Sequence, residues 1–171
     1  MRFRFPRPRL IATSLRDLAR RKPDEAEEYL DAHHDEWEQL AEGSPHNAAD
    51  ILEALDEEGA ADLLAELTRE EAADVLDEMR AEAAADVLEE MSPRAAAVLI
   101  GAMETDQAAD ILGVLEADQR DAIIDTLPAD AKAEILRLLA YPSDTAGGMM
   151  TTDVASLPIG MTSGEAVEDL R

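Results

Sequence analysis

Aspartates return at one position of a regular pattern in this chain, at Asp50, Asp62, Asp74, Asp86 and Asp110. A further aspartate, Asp106, stands four residues before Asp110, so both carboxylates project from one face of a helix. Two carboxylates at this spacing can share a hydrated Mg²⁺ ion, which prefers oxygen ligands and retains several waters. These residues therefore favour the binding of a hard divalent cation. The alternative is a structural role, since acidic side chains on helices often form only a solvated face.

The residues offer little for catalysis or for a transition metal. The chain has no cysteine, which excludes disulfides, zinc ribbons and thiolate chemistry. His33-His34, with Asp31 three residues before His34, could hold a transition metal, and packing or surface histidines are the alternative. Gly147-Gly148 is not a phosphate loop, because the accompanying glycine and lysine spacing is missing. No nucleophile can be paired with a base, so we predict no catalytic residue, no organic cofactor site and no enzymatic activity.

The aspartates belong to a unit of twelve residues that occurs eight times. Most units are apolar at positions one, four, five and eight, which is the spacing of one face of an α-helix. A single continuous helix cannot bury this stripe, because twelve residues turn it by about 120° in each unit. The chain must therefore break and turn once per unit. The units start at Ala48, Ala60, Ala72, Ala84, Ala96, Ala108, Arg120 and Lys132.

The joints between units carry signals for the start of a helix. Thr68 and Glu71 have the spacing of a capping box, and Ser92 precedes a proline at a first helical position. Each unit then holds a helix too short to be stable alone in water, so neighbouring units must share a core. The sequence predicts an all-α superhelix (an α-solenoid) of short helices, with a three- or four-helix bundle as the alternative. Position three lies opposite the apolar stripe, so we expect its aspartates to face water in one row along the solenoid.

Charge is divided unevenly along the chain, whose formal net charge is −25. Residues 1–22 carry eight Arg or Lys and one acid, a net charge of +7. The remaining residues carry seven basic and 39 acidic side chains, a net charge of −32. Such a body repels nucleic acid and attracts cations, although adaptation to high salt or a genomic bias would leave the same composition. Residues 1–12 are predicted to form a disordered basic arm, which could contact anionic lipid.

The rest of the chain divides into three segments. Between residues 14 and 40 the pattern predicts two helices joined around Lys22-Pro23, and the repeats follow. Proline, glycine and polar residues from 141 to 153 predict a linker. A short strand over 154–158 and a capped helix over 162–170 would begin an α/β domain that the chain does not complete. We therefore expect an arm over 1–12, a helical superhelix over 13–140, a linker over 141–153 and a truncated α/β fragment over 154–171.

No segment of the sequence is suited to crossing a membrane. The longest uninterrupted apolar run covers residues 95–103, about half of what a bilayer requires. The first residues lack the apolar stretch of a secretory signal. The absence of cysteine also fits a reducing compartment. We therefore expect a cytoplasmic location and no transmembrane segment in this chain.

The repeat block and the segment after it resemble a known family. The block followed by Tyr141-Pro-Ser-Asp-Thr-Ala-Gly-Gly-Met-Met-Thr-Thr-Asp153 resembles the cytosolic N-terminal region of MgtE-type magnesium transporters. The stretch from Leu157 to Arg171 is similar to the start of that family's first CBS domain. The resemblance implies a helical superhelix in front of a CBS pair and a membrane domain that conducts Mg²⁺, in a homodimeric full-length protein. It also implies that Mg²⁺ bridges acids of the N and CBS domains and so favours the closed pore.

By motif position, the resemblance implies that Asp74, Asp106 and Asp110 contact the metal. Gln107 stands where the family often has the second acid of an Asp-Asp pair. The partner acids would lie mostly in CBS sequence after Arg171, so each site in this chain would be half a site. We therefore expect a Mg²⁺-sensing regulatory domain at the cytosolic face of the cell membrane, with the CBS and membrane domains of its transporter as partners. The alternative is a free-standing helical-repeat adaptor that binds a protein partner without metal.

Overall fold

The structure is a computed structural model that describes residues 8–141 and the isolated positions 145, 150, 160–162 and 164, with side chains from residue 14 onward. All regular structure in residues 8–141 is helical, so the predicted all-α fold is confirmed there. The helices in chain order are α1 (Pro8–Arg21), α2 (Pro23–Ala32), α3 (His34–Gly43), α4 (Pro45–Leu52), α5 (Glu57–Ala65), α6 (Arg69–Asp77), α7 (Ala81–Glu89), α8 (Pro93–Ile100), α9 (Thr105–Val114), α10 (Ala117–Thr126) and α11 (Ala129–Leu139).

Each repeat unit contributes one helix, from α4 to α11. These helices are 8 to 11 residues long. The predicted capping box is present, because Thr68 Oγ1 accepts from the Glu71 amide at 3.3 Å and Glu71 Oε2 accepts from the Thr68 amide at 3.0 Å. Ser92 Oγ likewise accepts from the Ala95 amide at 3.2 Å at the start of α8. The chain thus breaks once per unit, as the drift of the apolar stripe requires.

Each repeat helix packs mainly against the helix two units further along the chain. The pairs are α4 with α6, α6 with α8 and α8 with α10, and likewise α5 with α7, α7 with α9 and α9 with α11. Even-numbered and odd-numbered helices therefore form two rows, whose apolar stripes meet in a shared core. Burial of each large aliphatic side chain there stabilises the fold by about 1.5–3 kcal/mol. The centre of the core is the fifth repeat position, at most 1% exposed in Leu52, Leu64, Leu76, Leu88, Ile100 and Leu112.

The helices before the repeats close the first end of this core. α1 packs on α2 and α4, and α3 packs on α4 and α6. Trp37 of α3 is fully buried, and its indole Nε1 donates a hydrogen bond of 2.9 Å to the carbonyl of Leu63 in α5. The bond satisfies the polar atom of an otherwise apolar side chain, as burial requires. A solenoid needs such a terminal element, because its first repeat would otherwise expose its apolar stripe.

Two expectations for this first region are wrong. Residues 8–12, predicted as part of a disordered arm, lie in α1, because Pro8 is tolerated in a first helical turn and the buried Leu15 and Ala19 fix the helix to the core. Residues 14–43 hold three helices instead of the predicted two, because the chain leaves helical geometry at His33 (φ −130°, ψ 49°). The break lets α2 pack on α5 while α3 packs on α4 and α6.

The predictions for the end of the chain fall largely outside the described residues. They include residues 1–7 of the arm, most of the 141–153 linker, the strand over 154–158 and most of the helix over 162–170. These expectations stay predictions. None of the helices in the described part of the chain has the length and apolar character needed to cross a membrane.

Candidate metal-responsive acidic patch

The aspartates at repeat position three divide between two faces of the superhelix. Asp62, Asp74, Asp86 and Asp110 are exposed, as predicted, whereas Asp50 is partly buried and bonded to Arg16 at 2.7 Å. The expected single row is wrong, because alternate helices lie on opposite sides of the core. The odd-numbered helices carry an acid in every unit at this position, in the order Asp62, Asp86, Asp110 and Glu134. The even-numbered helices change from acidic to apolar, in the order Asp50, Asp74, Val98 and Ala122.

Asp106 and Asp110 lie together on α9, as their spacing predicts. Both line a groove of about 500 Å³ between α9, α10 and α11. Burial, and then the charge of Asp106, raises the pKa of the Asp110 carboxyl. The two carboxylates are therefore close enough to repel each other, which is the arrangement that a cation between them would relieve.

Asp77, at the end of α6, interacts electrostatically with both Asp74 and Asp106. Burial is the largest cause that raises the pKa of Asp77 to about 6, and the charges of Asp74, Glu104 and Asp106 add to it. Asp77 is thus within electrostatic range of Asp74 on its own helix and of Asp106 on α9. We define the acidic patch as the set formed by Asp74, Asp77, Glu104, Asp106 and Asp110.

Sequence reasoning missed Asp77 and Glu104. Asp77 is at repeat position six and is half-buried, whereas Asp74 at position three is exposed. The signal available in the sequence was its place three residues after Asp74 on one helix. Glu104 gave no comparable signal, because it stands in the joint before α9, and only the packing of distant units brings it near Asp77.

Gln107 contacts Asp77 across the gap between α9 and α6. With the amide nitrogen turned towards the carboxylate, it lies 2.5 and 3.3 Å from the two oxygen atoms of Asp77. Donation from this amide favours the charged form of Asp77 and so opposes the effect of burial and of the neighbouring acids on its pKa. The amide can also accept a hydrogen bond from a protonated Asp77 if it rotates by half a turn.

The patch offers carboxylates at its surface but no complete metal cage. Within the described residues, no three His, Asp or Glu side chains converge closely enough to hold a metal ion by themselves. The exposed carboxylates suit Mg²⁺, which is usually bound by one or two carboxylates and keeps several of its waters. Such a hydrated ion has positions left for ligands from a second surface. The arrangement can therefore contribute part of a magnesium site.

The histidines form contacts within the fold. His33 Nδ1 is 2.8 Å from the carbonyl of Tyr29. His34 Nδ1 is 2.9 Å from Glu66, the residue that follows α5, and its Nε2 is 3.1 Å from Glu38. The hydrogen bond to Glu66 is the main cause that raises the pKa of His34. His34 is exposed and pairs with glutamates instead of Asp31, which favours a surface histidine over a transition-metal site.

Comparison with known proteins gives two results. The sequence model of the family described as the MgtE intracellular N domain matches residues 43–144, more than half of the chain. A solved structure described as the soluble part of a magnesium transporter is 25% identical to this chain, with a TM-score of 0.74. The match covers 96% of this chain and 61% of that one, so this chain spans less than two thirds of its relative. No curated protein gave a match. The family match and the shared fold together show that this chain belongs to the MgtE intracellular N domain family.

Proposed function

We propose that this domain senses Mg²⁺ and regulates the magnesium transporter of which it forms part, at the cytosolic face of the cell membrane. The observation that carries the proposal is the acidic patch, where several carboxylates repel one another and one of them is held partly out of water. Membership of the MgtE intracellular N domain family is the reason to connect this domain with a magnesium transporter. The patch supplies a reason for the domain to respond to a divalent cation.

The proposed sites are shared between this domain and the CBS domains of the same transporter. Asp74, Asp106 and Asp110 would each provide a carboxylate, and acids on the CBS domains would complete the coordination of hydrated Mg²⁺. Without the ion, two facing acidic surfaces repel. With the ion bound more tightly in the compact arrangement, the population shifts towards that arrangement. We propose that the compact arrangement corresponds to the closed pore.

The groove beside the patch offers a further area for the CBS contact. Val114 and Leu136 line it and are 48% and 45% exposed, and Tyr141 at its edge is 45% exposed. Apolar side chains beside carboxylates suit an interface in which a bound ion neutralises the charge and a small apolar contact adds affinity. A groove of this kind would also serve an adaptor that binds a protein without metal, so the experiment must distinguish the two.

The test measures thermal unfolding of a protein that contains this chain and the CBS pair expected after Arg171, with and without millimolar Mg²⁺. We expect Mg²⁺ to raise the Tm, and Asp106→Ala with Asp110→Ala to remove most of that increase. Asp62→Ala with Asp86→Ala is the matched control, because it removes two exposed acids at repeat position three outside the patch. A sodium salt at equal ionic strength separates ion binding from general screening.

Two outcomes would contradict the proposal. If both double variants lose the Mg²⁺ response equally, the effect comes from overall charge and not from the patch. If neither loses it, the patch is not the site. An association with the CBS pair that is equally strong in a chelator would instead favour the metal-independent adaptor.

A further inference from the structure

The imidazole ring of His34 lies between two carboxylates at the first end of the superhelix. Its Nδ1 is 2.9 Å from Oε2 of Glu66, and its Nε2 is 3.1 Å from Oε1 of Glu38. Glu38 is on the same helix as His34, α3, whereas Glu66 immediately follows α5. The ring therefore connects two helices. Neither the acidic patch nor the groove involves it.

Only the protonated ring can satisfy both of these carboxylates. A neutral imidazole has a single N–H group, so one ring nitrogen donates while the other presents a lone pair. An ionised carboxylate can only accept hydrogen bonds. The neutral ring of His34 can therefore bond to Glu66 or to Glu38, and it turns a lone pair towards the other. The imidazolium donates from both nitrogens, and its charge strengthens both bonds.

The bond to Glu66 lies beside a second link between α3 and α5. Trp37, three residues after His34, donates a hydrogen bond of 2.9 Å to the carbonyl of Leu63, three residues before Glu66. The indole is fully buried and does not titrate, whereas the side chain of His34 is 45% exposed. Otherwise α3 packs mainly on α2, α4 and α6. The protonation of His34 thus decides whether α3 has one side-chain bond to α5 or two.

The same contact occurs once more, one repeat unit further along the chain. Nδ1 of His46, in the first turn of α4, is 3.3 Å from Oε2 of Glu78, which follows α6. The two histidines stand twelve residues apart, and so do their glutamate partners. The contact therefore follows from the superhelical packing. One unit later the two positions are occupied by Glu58 and Glu90, so the histidine contact is confined to the first end.

We propose that His34, Glu38 and Glu66 form a proton-operated clamp that holds α3 against α5 when the ring is protonated and loosens when it is neutral. The hydrogen bond to Glu66 is the largest cause that raises the pKa of His34, and the charges of Glu38 and Asp35 add to it while burial opposes it. Since the pKa is higher in the folded state, the stabilisation is present below about pH 6.5 and is lost as pH rises through the folded pKa. The first end of the domain thus becomes looser in mildly alkaline conditions.

The charges on the neighbouring helices favour the same behaviour. Helices α2, α4, α5 and α6 contain two basic side chains, Arg69 and His46, which pair with Glu70 and Glu78. Neither base therefore competes for the carboxylates of the clamp. The other charged side chains on these helices are acids, among them Asp31 of α2, and acids favour a proton on His34. The inference does not depend on Mg²⁺ sensing, so either proposal can fail while the other stands.

Titration of the histidine ring signals of the purified chain by NMR tests the contact. We expect a midpoint for His34 above about 6.5, the value of an unperturbed histidine. Glu66→Gln should lower this midpoint, because a neutral amide stabilises the imidazolium less than a carboxylate does. Glu42→Gln is the matched control, since it removes one exposed acid from the same helix, and it should leave the midpoint almost unchanged. An equal midpoint in the wild type and Glu66→Gln would overturn the proposal.

Hydrogen exchange of the α3 amides tests the consequence for the fold. We expect the protection factors of the wild type, which correct for the intrinsic effect of pH on exchange, to be lower at about pH 8 than at about pH 6. His34→Gln should remove this difference, because glutamine does not titrate. His33→Gln is the control and should keep it, since Nδ1 of His33 lies 2.8 Å from the carbonyl of Tyr29 instead of a carboxylate. Equal protection of the wild type at both pH values, or an unchanged difference in His34→Gln, would overturn the clamp.

Discussion

The side-chain amide of Gln107 in the first turn of α9 lies against the carboxylate of Asp77 at the end of α6. The two residues belong to distant repeat units, so their contact depends on the superhelical packing. It places a neutral donor where a second carboxylate would otherwise add to the repulsion around Asp77. The acidic patch is therefore stabilised at one point by a hydrogen bond that needs no cation. Asp74, Asp106 and Asp110 are left at its surface.

Substitution Asp77→Asn should stabilise the domain at neutral pH. The native pKa of Asp77 is raised to about 6 from 3.8, so the folded state binds a proton more readily than the unfolded state does. Stability therefore falls as pH rises from about 4 to about 6, and the charged group costs free energy above that range. We expect a gain of about 1 kcal/mol, less than the full pKa shift would imply, because solvent screens this partly exposed group.

Urea denaturation of the purified chain across this pH range checks the prediction. The slope of stability against pH between about 4 and 6 should become smaller in Asp77→Asn than in the wild type. Asp86→Asn is the control, since Asp86 is exposed at position three of its unit. A loss of stability in Asp77→Asn at neutral pH would mean that acceptance of the Gln107 hydrogen bond outweighs the repulsion.

Substitution Gln107→Asp should make the contact between α6 and α9 depend on a divalent cation. It replaces the amide next to Asp77 with a carboxylate, in a region already crowded by Glu104 and Asp106. We expect a loss of about 1–3 kcal/mol in a chelator, from the lost hydrogen bond and the added repulsion. Millimolar Mg²⁺ should restore more stability to this variant than to the wild type, because the new pair of carboxylates can share the ion.

The matched control for this experiment is Gln107→Asn, which shortens the side chain in the same way and keeps the amide. Thermal unfolding of both variants with chelator and with Mg²⁺ measures the difference. If Mg²⁺ stabilises the two variants equally, the added carboxylate does not bind the ion. That result would also weaken the assignment of the patch as a magnesium-responsive surface.

The repeat pattern predicted the local structure well, because each unit has its own helical apolar stripe, and capping side chains begin α5, α6 and α8. The burial of the apolar residues at positions four and five, such as Val75 and Leu76, could be predicted from local periodicity alone. The twelve-residue period does not predict which units pack against each other. Position three was expected to form one row, yet alternate helices face opposite sides, and this separates Asp74 from Asp110. The packing of distant units brings Glu104 close to Asp77, so their proximity cannot be predicted from their spacing in the sequence.

The helices before the repeats were predicted less well, because no periodic pattern governs them. The break at His33 depends on α2 and α3 having different partners. The helical spacing of Tyr29, Leu30, His33 and Trp37 conceals this break in the sequence. The sequence predicts a disordered basic arm up to residue 12. The burial of Leu15 and Ala19 against other helices extends α1 towards Pro8 instead. Tertiary contacts decided both differences.

The groove should contribute to association with the CBS pair without contributing to the fold of this domain. Val114→Ser with Leu136→Ser removes two apolar side chains that are about half exposed, at 48% and 45%. Such substitutions usually change the stability of a domain by less than about 0.5 kcal/mol each. We therefore expect an almost unchanged Tm for this chain alone, whereas the increase in Tm that Mg²⁺ gives in the presence of the CBS pair should fall by more than half.

Val98→Ser is the control for the groove. Val98 is 49% exposed and is not among the residues that line the groove, so it removes the same kind of side chain from another part of the surface. It should leave the Mg²⁺ response at the wild-type value. A response that is unchanged in the double variant would show that the CBS contact involves the carboxylates alone. A fall in the Tm of the isolated chain would instead mean that Val114 and Leu136 support the packing of α9 on α11, and the groove would then lose its role as a binding surface.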